Sequence, residues 1–175
     1  MKSVAEELKN ELVAEHSKTQ SEKIAKKCVA EKIWLKNLIK IILENETLLS
    51  QRAAWVLSFV HRKDKTCLLP YLPQLIDNLS KPKLHDAVKR NTLKIFEATN
   101  PPANYETKLL DLSIKFLRNK NEAIAIRVFA MTAMVNLSLL YPELQHEVKE
   151  IILEQYDEES PAYVSRAKKE LKRLK

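Results

Sequence analysis

Gln51-Arg52-Ala53-Ala54-Trp55-Val56-Leu57 returns in altered form three more times, as Lys89-Arg90-Asn91-Thr92, Ile126-Arg127-Val128-Phe129 and Ser165-Arg166-Ala167-Lys168. Aligned on arginine, the copies lie 38, 37 and 39 residues apart, a spacing in the range of helical repeats. The neighbouring columns behave as one helix face. Two residues before each arginine stand Ser50, Val88, Ala125 and Val164; five after stand Leu57, Ile95, Thr132 and Leu171; eight after stand Val60, Ala98, Val135 and Leu174. With Ala53, Asn91, Val128 and Ala167 one place after, the mostly apolar columns step by three or four residues, as a helix buried along one side requires.

Composition supports an all-helical chain. The 175 residues are 45% apolar and contain no glycine. Phosphate-cradling loops, dinucleotide turns, nucleophile elbows and tight hairpins use glycine where φ is positive or backbone approaches a ligand, so most nucleotide enzymes are excluded. Helix ends then need the next most tolerant residue, and asparagine stands at Asn45, Asn78, Asn100 and Asn119, where apolar periodicity stops. The formal charge is +7, yet residues 161–175 alone hold six cations and Glu170, a balance of +5. A nucleic-acid footprint spreads its basic residues over several elements, whereas this concentration fits a charged end cap.

Working along the chain, Val4, Leu8 and Leu12 predict an amphipathic helix from Ser3 to about Glu15. Two helices are expected at about 17–29 and 31–44; nothing between Val29 and Lys32 breaks a helix, which leaves one long helix from Ser21 to Glu44 as the alternative. The next opens at Glu46 or Thr47 and runs to about Arg62, and His61 to Lys65 reads as a polar turn. Asn100-Pro101-Pro102 ends a later helix, because proline restricts the preceding residue and cannot donate to the ladder. Further helices are expected from Tyr105 to Leu117, Ala123 to Leu140, Glu143 to Tyr156, and from the Ser160-Pro161 cap to the C-terminus.

Leu68 to Leu79 with Pro70, followed by Pro82 and Asp86-Ala87-Val88-Lys89-Arg90, resembles one complete HEAT repeat: an apolar first helix with an early proline, a short turn, and a second helix beginning with acid, branched apolar and basic residues. No acid stands four residues before Arg52, Arg127 or Arg166, so the family's acid-to-arginine tie fits this copy alone. The whole also resembles a group of small bacterial HEAT-like proteins through Ala14-Glu15-His16-Ser17-Lys18 and Leu84-His85-Asp86-Ala87-Val88-Lys89-Arg90-Asn91-Thr92. The resemblance implies an all-α, right-handed superhelix of antiparallel helix pairs. The expected organisation is one domain, with N-terminal helices in 1–30 and pairs at 31–63, 67–99, 103–140 and 143–175.

Candidate chemistry is sparse. His16, His61, His85 and His146 are dispersed without metal-ligand spacing, and Asp157-Glu158-Glu159 sits in an expected turn, where a solvated loop is the plainer reading. No catalytic, cofactor-binding or metal-ligating residue is assigned. Cys28 and Cys67 have no close partner in sequence and read as reduced thiols. Residues 123–140 carry Arg127 as their one charge, but Thr132, Asn136 and Ser138 favour burial in a repeat over a membrane span. With no secretory core in the first twenty residues, a cytoplasmic protein is expected.

The sharpest candidates are the arginine column with Trp55. Arg52, Arg90, Arg127 and Arg166 on successive second helices would form a ladder on one wall, able to grip an acidic or phosphate ligand. The competing reading has each arginine bracing neighbouring turns through its planar fork. With Lys89 and Lys94, these are the candidate contacts to a protein or peptide partner, the leading expectation for function. The second expectation is weak nucleic-acid binding, or an alkylated-base DNA glycosylase-like enzyme, since some such enzymes resemble HEAT-like solenoids with an aromatic, acidic and basic cleft. Trp55, Asp86 and Arg90 are its local ingredients. The columns beside the arginines read Gln51, Lys89, Ile126, Ser165 and Val56, Lys94, Met131, Glu170, so no second basic stripe supports it.

Overall fold

The computed structural model describes residues 3–175, and among them every regular element is helical. Chain contacts divide it into two compact units, Met1–Ile95 and Phe96–Lys175.

The first unit opens with α1, Val4–Ala14, started by a capping box: Glu6 N–H donates to Ser3 Oγ at 3.3 Å and Ser3 N–H to Glu6 Oε2 at 3.0 Å. α2, Lys18–Ala30, is capped by Ser17, whose hydroxyl accepts from Gln20 N–H at 3.1 Å. The open question about residues 17–44 resolves as two helices. Glu31 is extended (φ −131°, ψ 112°) and serves both as the end of α2 and as the start of α3, Lys32–Glu44. α4, Thr47–Lys63, follows a left-handed Asn45 (φ 58°).

Several expected boundaries shift. α4 absorbs His61 to Lys63, so the polar turn is confined to Asp64 and its neighbours, with Asp64 Oδ1 accepting from Thr66 N–H at 2.9 Å. The helix expected over Leu68–Leu79 begins as a 3-10 turn, Thr66–Tyr71, and becomes α-helical only in α5, Leu72–Leu79. Pro70 has no N–H to give the α-helical ladder, which accounts for the late start. α6 covers Asp86–Ile95. Of the four asparagines proposed as helix terminators, only Asn45 is left-handed. Asn78 lies inside α5, buried, its Oδ1 accepting from Asn45 Nδ2 at 3.1 Å, and Asn119 is extended. Lys83 takes the other positive φ among the described residues (57°), in the turn after Pro82, and pays for its Cβ with roughly 1–2 kcal/mol of backbone strain.

Within this unit α2 packs on α4 and α4 on α6, forming one layer, while α1 packs on α3 and α3 touches α5; α3 with α4 and α5 with α6 join the layers. Leu8, Leu12, Ile24, Leu38, Ile42, Leu57, Leu68 and Leu75 are essentially inaccessible at the centre. Ala53 and Ala54 are fully buried, as expected where helix axes approach closely.

The second unit comprises α7, Glu106–Arg118; α8, Ile124–Leu140; α9, Gln145–Leu153; and α10, Pro161–Leu171, with 3-10 turns at Ala103–Tyr105, Pro142–Leu144 and Tyr156–Glu158. α9 is shorter than the expected Glu143 to Tyr156, because single 3-10 turns occupy both ends of that span. Ser160 caps α10, accepting from Tyr163 N–H, and Pro161 fills the first turn, where its missing N–H matters least. α8 packs on α7, α9 and α10, so almost its whole circumference is covered. That explains its near-continuous apolar sequence. Met131, Met134 and Val135 meet Val148, Ile151, Ile152, Tyr163 and Ala167 in one cluster, against which Leu171 and Leu174 are partly buried.

Candidate binding surface

The arginine column behaves differently in the two units. In Phe96–Lys175 both members are drawn inward. Arg127 is 4% exposed. Its Nε donates to Leu117 O at 3.0 Å and its Nη1 to Glu159 Oε2 at 3.1 Å, while Nη2 bonds Glu159 Oε1 and Gln155 Oε1. The guanidinium carbon also lies 5.2 Å from the centre of the Tyr163 ring. Glu159, expected in a solvated loop, is thus a buried counter-ion with a side chain 7% exposed, whereas Asp157 and Glu158 beside it are exposed. The 3-10 turn at Tyr156–Glu158 and the cap at Ser160 hold this acid against α8.

Arg166 is held likewise. Its Nη1 lies 2.7 Å from Glu97 Oε1 and 2.7 Å from Thr132 Oγ1, with its guanidinium 5.6 Å from the Phe129 ring. Thr132 in turn donates to Glu170 Oε1 at 2.8 Å, and Arg173 pairs with the other oxygen of Glu170. Glu170 is 1% exposed, an acid inside the basic C-terminal helix neutralised by two arginines. Lys168, Lys169 and Lys172 point outward.

In Met1–Ile95 the column divides, with Arg52 half-buried and Arg90 exposed. Arg52 on α4 is half-buried; its Nη1 donates to Leu12 O at the end of α1, at 2.7 Å, and its Nε is buried without a partner. One turn along α4, Trp55 is half-buried between two edge-on rings, His16 at 4.8 Å and Phe59 at 5.6 Å, and Arg62 lies over Phe59 at 4.3 Å. Arg52, Trp55, Phe59 and Arg62 therefore form one stripe at helical spacing. On α6, which packs against α4, Arg90 and Lys94 are exposed, and Lys89 is half-buried with Nζ 3.4 Å from Asp86 Oδ1. His85 is a cap: its Nδ1 accepts from Ala87 N–H at 3.1 Å. α4 thus presents one half-buried aromatic ring beside Arg52, and α6, packed against it, presents the exposed cations Arg90 and Lys94.

A second cluster escaped the sequence reading. Lys27 on α2 bonds Glu11 at 2.7 Å and Glu7 at 3.1 Å, and sits 4.1 Å from the Trp34 ring. The Glu11 carboxylate, foremost, raises the Lys27 pKa above its usual range. The signal existed in α1, where Glu7 and Glu11 are four residues apart and so share a face, but nothing in sequence pairs them with Lys27.

Neither cysteine is poised as a nucleophile. Both cysteines are free, and burial pushes the Cys28 thiol up to about 12 and Cys67 up to about 11, far from the thiolate a nucleophile needs. Among the described residues no three His, Cys, Asp or Glu side chains gather as a metal site, and no helix is long and apolar enough to cross a membrane.

Helices paired on apolar stripes within each unit define an all-α repeat protein. The chain matches the family model described as a HEAT repeat domain over residues 8–174, and it belongs to that family. No curated protein and no solved structure matches it.

Proposed function

We propose that this HEAT-repeat protein is a non-enzymatic scaffold that binds a protein or peptide partner on the open face of α4 and α6. One observation carries the reading: Trp55 is half-buried rather than sealed in the core, and Arg90 and Lys94 are exposed on the helix packed beside it. A partly exposed tryptophan with neighbouring cations is the composition of an interaction hot spot. Arg127, by contrast, has all three guanidinium nitrogens bonded to internal acceptors, and Arg166 has its Nη1 bonded to Glu97 and Thr132, so both brace the fold. The partner contacts are accordingly Trp55, Lys89, Arg90 and Lys94, with Arg52 positioned by Leu12. Two free cysteines, one of them buried, suit a reducing compartment such as the cytoplasm.

A pull-down with the intact protein, compared with a Trp55→Ala, Arg90→Glu, Lys94→Glu variant of unchanged helicity, tests this. Loss of the specifically retained protein supports the reading, and undiminished retention moves the surface elsewhere. Duplex DNA is the competing ligand. Contact through the exposed cations of α4 and α6 would give a log-log salt slope of about −3 to −4, shallower by about one in Arg90→Ala. Tight DNA binding at physiological salt that survives neutralising Lys168, Lys169, Lys172 and Arg173 would replace the scaffold with a nucleic-acid protein.

A further inference from the structure

The unit Phe96–Lys175 contains a pocket of opposite character to the α4–α6 face. Its volume is ≈ 340 Å³, and its apolar lining comes from Leu110 of α7, Leu137 of α8 and Leu144 of the following turn. Glu106 and Glu143 stand among its walls, and no lysine or arginine lines it, in a chain whose formal charge is +7. Glu106 lies in the first turn of α7, where the helix dipole favours the carboxylate, and it accepts a hydrogen bond from the Tyr141 hydroxyl. Glu143 is exposed; the Glu106 hydrogen bond, foremost, and the charges of both acids raise the Tyr141 pKa. Tyr141, 39% exposed, lines the pocket, and the apolar surface continues beyond it to Leu140, which is 45% exposed and shares the α8 face of the pocket residue Leu137.

We propose that this pocket docks an arginine side chain from an apolar segment of a protein partner. Three features select that occupant. Two carboxylates beside an apolar lining match a cation on an aliphatic stem, which rests its methylenes on leucine while the charge stays at the rim. A planar guanidinium can bond the carboxylates and lie on the Tyr141 ring at once, which an ammonium does less well. Leu140, outside the pocket, would be left uncovered by a small cation, but an apolar residue flanking the arginine covers it. This site is separate in residues and in charge from the contacts assigned to Trp55, Arg90 and Lys94.

The test is a titration of the full-length, isotopically labelled protein with a heptapeptide holding one central arginine among leucines and alanines. Amide shifts confined to residues 103–110 and 137–144 are expected. Affinity should fall about five- to tenfold in Glu143→Lys, and by a similar factor when norleucine replaces the peptide's arginine. Glu106→Gln keeps the acceptor for Tyr141 and should weaken binding through charge alone, so it separates charge loss from misfolding. Arg90→Glu should leave binding unchanged. Equal affinity for the norleucine peptide, shifts centred elsewhere, full displacement by free spermidine at matched charge, or no saturable binding would each overturn the proposal.

Discussion

Arg127 and Glu159 are 32 residues apart in sequence and form a buried, two-pronged ion pair, Nη1 to Oε2 and Nη2 to Oε1, with side chains 5% and 7% exposed. Removing one partner strands the other in a poorly solvated site. Arg127→Met should therefore cost about 3–5 kcal/mol, and adding Glu159→Leu should restore a good part of it. Urea denaturation followed by circular dichroism reads both; an Arg127→Met midpoint equal to wild type would mean water reaches the pair.

Alkaline stability should track Tyr163. Its hydroxyl donates to Ile152 O at 3.0 Å, and burial pushes its pKa from 10.0 up to about 12. The unfolded chain then loses this proton first, so the contribution is complete below about pH 10 and is lost as pH rises through about 12. Buried Cys28, raised from 9.0 to about 12, acts with the same sign from a lower onset. Tyr163→Phe should cost about 1 kcal/mol at neutral pH through the lost hydrogen bond, and with Cys28→Ala should flatten the decline above pH 9. An alkaline decline as steep as that of wild type in the double variant would contradict the assignment.

Leu75, Leu79, Val88 and Ile95 are buried, on α5 and α6. Leu79→Ala should destabilise the unit Met1–Ile95 by about 2–5 kcal/mol. Trp34 and Trp55 both lie in that unit, so tryptophan fluorescence during denaturation is the direct readout. An unchanged midpoint and slope would place Leu79 at the surface.

Deleting residues 160–175 should uncover Met131, Met134, Ile151 and Ile152, which Tyr163 and Ala167 now cover, and leave Thr132 without Glu170. Aggregation at micromolar concentration is the expected result, read by light scattering. A monomeric truncation of undiminished stability would remove the capping role of α10.

Local patterns made the helices legible: the stripes of α1, α7 and α8, the Ser160-Pro161 start and the left-handed Asn45 all follow from neighbours within a turn or two. The fate of each arginine was not legible. The column at 52, 90, 127 and 166 is visible by counting, but the partners are Leu12 O, Glu159 and Glu97, which lie 40, 32 and 69 residues away. A search four residues upstream finds none of them. The buried Asn78 and the positive φ at Lys83 were hidden for a related reason: the first depends on Asn45 across 33 residues, and the second on a turn held at both ends by packed helices.

Glu31 joins α2 to α3 alone, and one extended residue has no slack to absorb a change in length. An inserted residue there would have to be taken into one of the helices, turning its buried side by about 100° and setting leucines where lysines now stand. The turn at Lys120-Asn121 is exposed and joins α7 to α8 through several residues. Length variation, epitope grafts and reporter insertions belong at that second junction, so the chain's tolerance of added sequence is decided joint by joint.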